Sequence, residues 1–173
     1  RAAADGITGD STYVQRAAYL RGVALMKQAQ AAIPEVEKAQ RSPDYAAAIA
    51  SFETATKQLG KESAESRAIS DFAWLAIARL HFENQRYLYA ALAYEKVPRT
   101  SKEFARALFE LSWTYVRMGD YQRGQRTLEA LRVLDPGLID GADASLLRAD
   151  LLLRSGRFKE ADEAYREVRE TYE

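Results

Sequence analysis

Few residues of this chain are of a kind that does covalent chemistry. His81 is the only histidine, and there is no cysteine among the 173 residues. A lone imidazole acts as a general base only with a nucleophile and an orienting group in reach. The sequence has no glycine-rich phosphate loop, serine elbow or zinc-ligand spacing. The missing thiols exclude a disulfide framework, a thiolate zinc site and a cysteine nucleophile, and leave the compartment open. Glu160, Asp162 and Glu163 are near enough in sequence to be considered as an acid and base. At helical spacing, however, such residues form a solvated face or pair with arginine one turn away, and no pocket is evident to convert them into catalytic groups. No catalytic, cofactor-binding or metal-ligating residue is assigned, and the chain is read as a non-enzyme. The residue types favour recognition instead: Trp113 and Arg117 lie one helical turn apart, and both types are enriched at binding hot spots.

Length and charge narrow the partners. A chain of 173 residues makes one ordinary domain and buries about 70% of its unfolded surface, so it needs no staples. Its 25 basic and 25 acidic residues balance, which argues against nucleic acid as a ligand. No run of apolar residues is long enough to span a membrane. The chain opens at Arg1 instead of methionine, which reads as a processed product or a piece of a longer protein. Residues 1-10 are small and polar, the pattern of a flexible lead-in.

The elements that must position any binding residues are helices. Ala, Leu, Glu, Arg and Gln dominate, and no window alternates apolar with polar residues. Asp10, Ser11 or Thr12 can cap a first helix through Tyr19, Leu20, Val23 and Met26, which Pro34 kinks or ends. Ser42 with Pro43 reads as a cap followed by a first-turn proline. The helix it opens carries Tyr45, Ala48, Ile49, Phe52, Ala55 and Leu59 and ends at Gly60. Further helices are expected over 63–84 and over 86–97, the latter stopped by Pro98. Thr100 with Glu103 reads as a capping box for a helix ending near Gly119. Asp120 caps the next, which ends before Pro136. A loop over 136–141 precedes a last pair at 142–155 and from Arg157 onward. That makes about eight helices in pairs.

The pairs repeat. Tyr87 and Tyr121 stand 34 residues apart, and Phe158 stands 37 beyond Tyr121, the three extra positions falling in the loop after Pro136, where insertion is cheap. In step with them recur a small residue in each first helix (Ala78, Ser112, Ala149) and one in each second helix (Ala90, Gly124, Ala161). Small residues at these places let the two helices of a pair cross closely. Gly119 and Gly156 suit a left-handed residue that ends one helix and starts a tight turn. His81 occupies a packing position of this pattern and is read as structural, as is Trp74; Trp113 can face either the core or a ligand.

The segment "LSWTYVRMGDYQRGQRTLEALRVLDP", from Leu111 to Pro136, resembles a tetratricopeptide repeat (TPR). The resemblance covers 68-98, 105-136 and 142-173, with 11-60 as an atypical N-terminal repeat built on Gly22, Tyr45, Ala48, Phe52 and Ala55 and having an elongated first helix. It implies an all-α fold, a right-handed α-solenoid of antiparallel helix pairs, forming a single domain over 11-173. "LRSGRFKEADEAYREVRETYE" is similar to TPR proteins of bacterial cell envelopes, which leans the location toward the periplasm or envelope, with the cytoplasm as the alternative.

In that family the first helices line a concave groove where ligands lie. The resemblance places there Phe72, Leu75, Arg79, Phe82 and Glu83; then Arg106, Phe109, Glu110, Trp113, Val116 and Arg117; then Leu146, Asp150, Leu153 and Arg154. Arg16, Tyr19, Val23, Met26 and Lys27 are their counterparts in the N-terminal pair. The lysines and asparagines that grip a peptide carboxylate in some members are absent: Leu75, Arg79, Phe109 and Trp113 stand in those places. An apolar floor flanked by arginine and carboxylate suits an amphipathic helix or an extended apolar peptide. The expected function is therefore a non-catalytic protein-interaction scaffold without a cofactor. The alternative is a structural segment of a longer solenoid, or one that associates with itself. RNA binding by helical repeats is disfavoured by the neutral charge.

Overall fold

In a computed structural model of the chain, residues 12–34, 37, 41–57, 63–135, 137 and 142–172 are described. They form helices α1 (Thr12–Ala31), α2 (Ala46–Thr56), α3 (Ala64–Glu83), α4 (Tyr87–Tyr94), α5 (Phe104–Met118), α6 (Tyr121–Leu134), α7 (Ala142–Arg154) and α8 (Phe158–Tyr172), with no strand among the described residues. The fold is all-α, as expected. The chain divides into two compact units, Arg1–Ser101 and Lys102–Glu173.

Each unit is built the same way. In the first, α1 pairs with α2 and α3 with α4, and α3 also packs on both helices of the preceding pair. In the second, α5 pairs with α6 and α7 with α8, and α7 packs on both α5 and α6. This is the packing order of a solenoid, in which a helix pair cannot cover its own apolar face and the next helix covers it.

The turns inside three of the pairs share one geometry. Gln85, Gly119 and Gly156 all have positive φ, at 58°, 77° and 75°. In each case that residue's N–H returns to the third carbonyl back, and the following N–H returns to the fifth. The pairs are Gln85 to Phe82 with Arg86 to His81, Gly119 to Val116 with Asp120 to Tyr115, and Gly156 to Leu153 with Arg157 to Leu152. This double bond to orphan carbonyls is the Schellman ending. Its spacing repeats the 34 and 37 residues read from the sequence.

The small residues lie where helices cross. Ala78, Ser112, Ala149, Ala90, Gly124 and Ala161 are all buried. A Cβ added to Gly124 would lie 3.4 Å from the Ser112 carbonyl oxygen and 3.5 Å from the Tyr115 Cβ, so α6 meets α5 nearly backbone to backbone. The Ser112 hydroxyl donates to the Leu108 carbonyl and causes no buried deficit. In the second unit Leu128 and Leu131 of α6 enclose Ala144, Leu147 and Leu151 of α7, with Leu108, Phe109, Val116 and Tyr121 packed around them. A second cluster, Ala149, Leu152, Ala161 and Ala164, joins α7 to α8. Fully burying each leucine contributes roughly 1.5–3 kcal/mol.

The first unit has a polar clamp in its core. Gln15 is fully buried. Its amide nitrogen donates to the carbonyls of Ala55 (3.3 Å) and Lys57 (2.7 Å), and its amide oxygen accepts from the Ser66 hydroxyl (2.7 Å). One side chain thus ties α1 to the end of α2 and the start of α3 with every donor and acceptor used. Tyr45, also fully buried, donates its hydroxyl to Glu83 and accepts from Gln30. Burial first, and then the Glu83 carboxylate, push its pKa up to about 12.

Several expected boundaries shift. Ser42–Pro43 does not open α2: the Asp44 carboxylate accepts the Ala46 N–H and Pro43 presents its carbonyl to Asn84, so the helix starts three residues later. The Thr100–Glu103 capping box does not form. Glu103 is itself the N-cap of α5 and makes no cap bond, its carboxylate lying 3.4 Å from Arg106 instead. Helix α4 stops at Tyr94; the Glu95 N–H still returns to Ala91, and those of Lys96 and Val97 close a tighter turn with bonds three residues back. The first helix has 20 residues, the same as α3 and more than α5 or α7, and ends at Ala31. The Asp120 cap forms as read, accepting from Arg123, and Ser63, at the expected start of α3, caps that helix by accepting from Ser66. The residues proposed for the lead-in at 1-10, the helix end at Leu59 and Gly60, and the loop at 136, 138–141 lie outside the described residues.

Candidate functional site

In the second unit α5 has one strongly apolar face. Ala107, Leu111, Ser112, Thr114 and Tyr115 are buried, and the opposite face offers Arg106, Trp113 and Arg117 to solvent. Trp113 is 36% exposed although its neighbours on either side are buried. Phe109 and Val116 are half-buried and rest on the α6–α7 core, so they form a floor rather than a free edge.

The neighbouring helix α7 contributes Asp150 and Arg154. They pair at 2.7 Å one turn apart, and the Arg154 guanidinium also lies 5.5 Å above the Tyr121 ring and 3.4 Å from its hydroxyl. The Asp150 bond, and then Tyr121, hold Arg154 above its ordinary pKa. A shift of 37 residues carries Trp113 onto Asp150 and Arg117 onto Arg154, so equivalent positions hold an aromatic in one helix and a carboxylate in the next. Leu146 and Leu153 flank Asp150 on α7 and are exposed. Tyr121 was legible as a repeat aromatic but not as a partner of Arg154, since the contact crosses 33 residues. Beside Tyr121 a recess of about 680 Å³ is lined by Met118, Asp120, Gln122, Gln125 and Ser155, none of them an expected groove position.

In the first unit, α3 carries Leu75, Arg79 and Phe82. Leu75 is 1% exposed, so it is a core residue and cannot meet a ligand as expected. The reason is that α3 is covered both by α1–α2 and by α4, which leaves it little open surface. Arg79 and Glu83 are exposed, and Phe82 is half-buried with its ring edge-on to Tyr87 at 5.4 Å. Phe72 is exposed. Trp74 is half-buried rather than fully in the core. On α1, Tyr19 packs against Phe52 at 5.4 Å, Val23 and Met26 are half-buried, and Arg16 pairs with Glu65. Lys27 is exposed.

His81 sits near the end of α3 with its ring 5.5 Å from Tyr89, and its Nδ1 is enclosed without a hydrogen-bond partner. Burial, then the Arg86 cation, lower its pKa, against a smaller opposing pull from Glu53. Among the described residues no group of three or more His, Asp or Glu side chains could hold a metal ion, and no helix is long and apolar enough to cross a membrane. Among the described residues the geometry offers surfaces with aromatic, apolar and charged character and no converging set of proton-transfer groups. Compared with family models and with curated proteins, the chain matches none significantly.

Proposed function

We propose that the chain is a non-catalytic scaffold of the tetratricopeptide type, a right-handed solenoid of antiparallel helix pairs. It holds a helix or extended peptide of a partner protein on the exposed faces of its first helices, within a multiprotein assembly. The observation that carries this function is Trp113. A tryptophan more than a third exposed, one turn from an exposed arginine and set above a half-buried apolar floor, has the composition of a binding hot spot. Support for the family comes from the Schellman turns recurring at 34 and 37 residues and from the buried small residues that recur with them. The balanced charge favours protein over nucleic acid as the ligand. A bacterial envelope setting follows from the resemblance of the last 20 or so residues.

The test is affinity capture from an extract of the source cells, with wild type beside a Trp113→Ala, Arg117→Ala variant whose helicity and melting temperature are checked first. The expected result is a partner held by wild type and lost by a folded variant. Equal capture by a folded variant would remove the site from α5. Filter binding at low salt, where phosphate contacts are strongest, is expected to retain no RNA.

A further inference from the structure

The second unit shows how this chain docks one helix on another pair. Helix α7 is held on α5–α6 by Ala144, Leu147 and Leu151, which settle among Phe109, Val116, Tyr121, Leu128 and Leu131. The first three form a docking face, and the other five form the seat that receives it. The Schellman glycines and the buried small residues fix the register between successive pairs at 37 residues here.

Shifted by that register, the five seat positions fall on Leu146, Leu153, Phe158, Tyr165 and Val168 of α7–α8. All five are apolar, and the first four are 44%, 43%, 68% and 37% exposed. These residues therefore form a second apolar seat, with Ser145 standing where Leu108 stands in the first, and no described helix lies on it.

The docking face also has an uncovered copy. In α3 the equivalents of Ala144, Leu147 and Leu151 are Ala73, Ala76 and Leu80, on the side whose neighbours Ser66 and Ser70 bond to α1 and α2. Gly22 marks the register in α1, because it is the small residue against which the second helix crosses: a Cβ there would lie 2.7 Å from the Phe52 ring. Matching Gly22 to Ala78 puts the docking face of α1 at Ala17, Leu20 and Ala24. All three are exposed, Leu20 at 59%. The spacing, small then large then apolar at three and seven residues on, repeats that of Ala144, Leu147 and Leu151.

Charge selects the pairing. Helix α1 carries Arg21 and Lys27, besides Arg16, which is paired with Glu65, and no carboxylate. Helix α8 carries five carboxylates against three cations. We propose that α1 of one copy of this chain docks on the α7–α8 seat of a second copy, a head-to-tail contact that reproduces the α7 packing between molecules. Such a contact joins two different faces, so each added copy presents the same two faces again, and assembly runs to open chains or closed rings.

Sedimentation velocity of the 173-residue chain up to millimolar concentration tests this. The weight-average mass should climb beyond that of a dimer and fall back as salt is raised. Leu20→Glu removes the docking face and Phe158→Glu the seat, both at exposed positions, with helicity confirmed by circular dichroism. Each variant alone should stay monomeric. Their equimolar mixture, which keeps one intact docking face and one intact seat, should give dimers that grow no further. A third variant, Arg21→Glu with Lys27→Glu, should associate at least tenfold more weakly without touching the apolar residues. Three outcomes overturn the proposal. A wild-type chain monomeric at millimolar concentration leaves these faces to another polypeptide. Single variants that associate like wild type place the contact elsewhere. A mixture that stays monomeric while wild type associates shows that the docking face and the seat do not pair with each other.

Discussion

Gly22 faces the ring of Phe52 so closely that a Cβ on the glycine would lie 2.7 Å from two ring carbons. Phe52 is fully buried and also packs on Tyr19 at 5.4 Å, so the ring has nowhere to retreat. Overpacking of this kind costs about 1–3 kcal/mol, and replacing a mid-helix glycine by alanine returns about 1 kcal/mol. Gly22→Ala is therefore expected to destabilise by up to about 2 kcal/mol in urea titration. At Gly124 the nearest atom to an added Cβ is a Leu151 methyl at 3.1 Å, the mobile end of a side chain. Gly124→Ala is expected within about 1 kcal/mol of wild type, because the helix-propensity gain offsets the crowding.

The three Schellman turns differ in one residue. Gln85 adopts the left-handed conformation that Gly119 and Gly156 adopt in the other two, and a side chain there costs about 1–2 kcal/mol. Gln85→Gly should raise stability by about 0.5–1 kcal/mol, after the extra entropy glycine gives the unfolded chain. Gly119→Ala should lower it by about 1 kcal/mol, although no atom lies within 4 Å of the added Cβ. A Gly119→Ala variant as stable as wild type would show that the turn has another way to close.

Two candidate caps separate cleanly. The Ser63 hydroxyl accepts the Ser66 N–H at 3.0 Å, and Ser63→Ala should cost about 1 kcal/mol. Thr100 lies outside α5, whose N-cap is Glu103, and Thr100→Ala should stay within about 0.5 kcal/mol of wild type. Thermal melts of the two single variants distinguish these outcomes directly.

His81 makes stability depend on pH near neutrality. Its pKa in the folded chain lies below the ordinary 6.5, through burial and Arg86. The unfolded chain therefore binds the proton first as pH falls, and stability is lost as pH drops through 6.5 toward the folded value. Urea midpoints should fall between pH 7.5 and pH 5.5, and His81→Gln should flatten that fall. An equal fall in both proteins would assign it to other groups.

The sequence carried the helices and the register of their turns because glycine and small residues leave direct marks: Gly119, Gly156, Ser112 and Gly124 were all legible. The Gln85 turn could have been found only from its 34-residue distance to Gly119, since glutamine gives no local sign of a left-handed bond. Ser42–Pro43 has the composition of a helix start, but Asp44 competes for the first N–H and wins. The expected site was legible on α5, where one face is apolar and the other polar. It was not legible on α3, because a helix covered by neighbours on two sides has apolar residues on most of its faces, with Phe72 exposed and Leu75 buried in one run, and does not reveal which face is open. Leu75 was lost to that ambiguity. Gln15 was missed because nothing local distinguishes a buried glutamine with three partners from a solvated one.

That glutamine has a consequence for how the first unit opens. Its three bonds connect segments 40 to 51 residues away in sequence, so the first turn of α1 cannot peel off without releasing all of them together. Helices ordinarily fray from their ends. Here the hydrogen-bonded amides of the second turn of α1, from Arg16 on, should exchange with deuterium nearly as slowly as those at its centre, while the far end is held by one side-chain bond, Gln30 to the Tyr45 hydroxyl, instead of three. The order of exchange along α1 would then run from its C-terminal end backward, the signature of a helix held more tightly at its start than at its end.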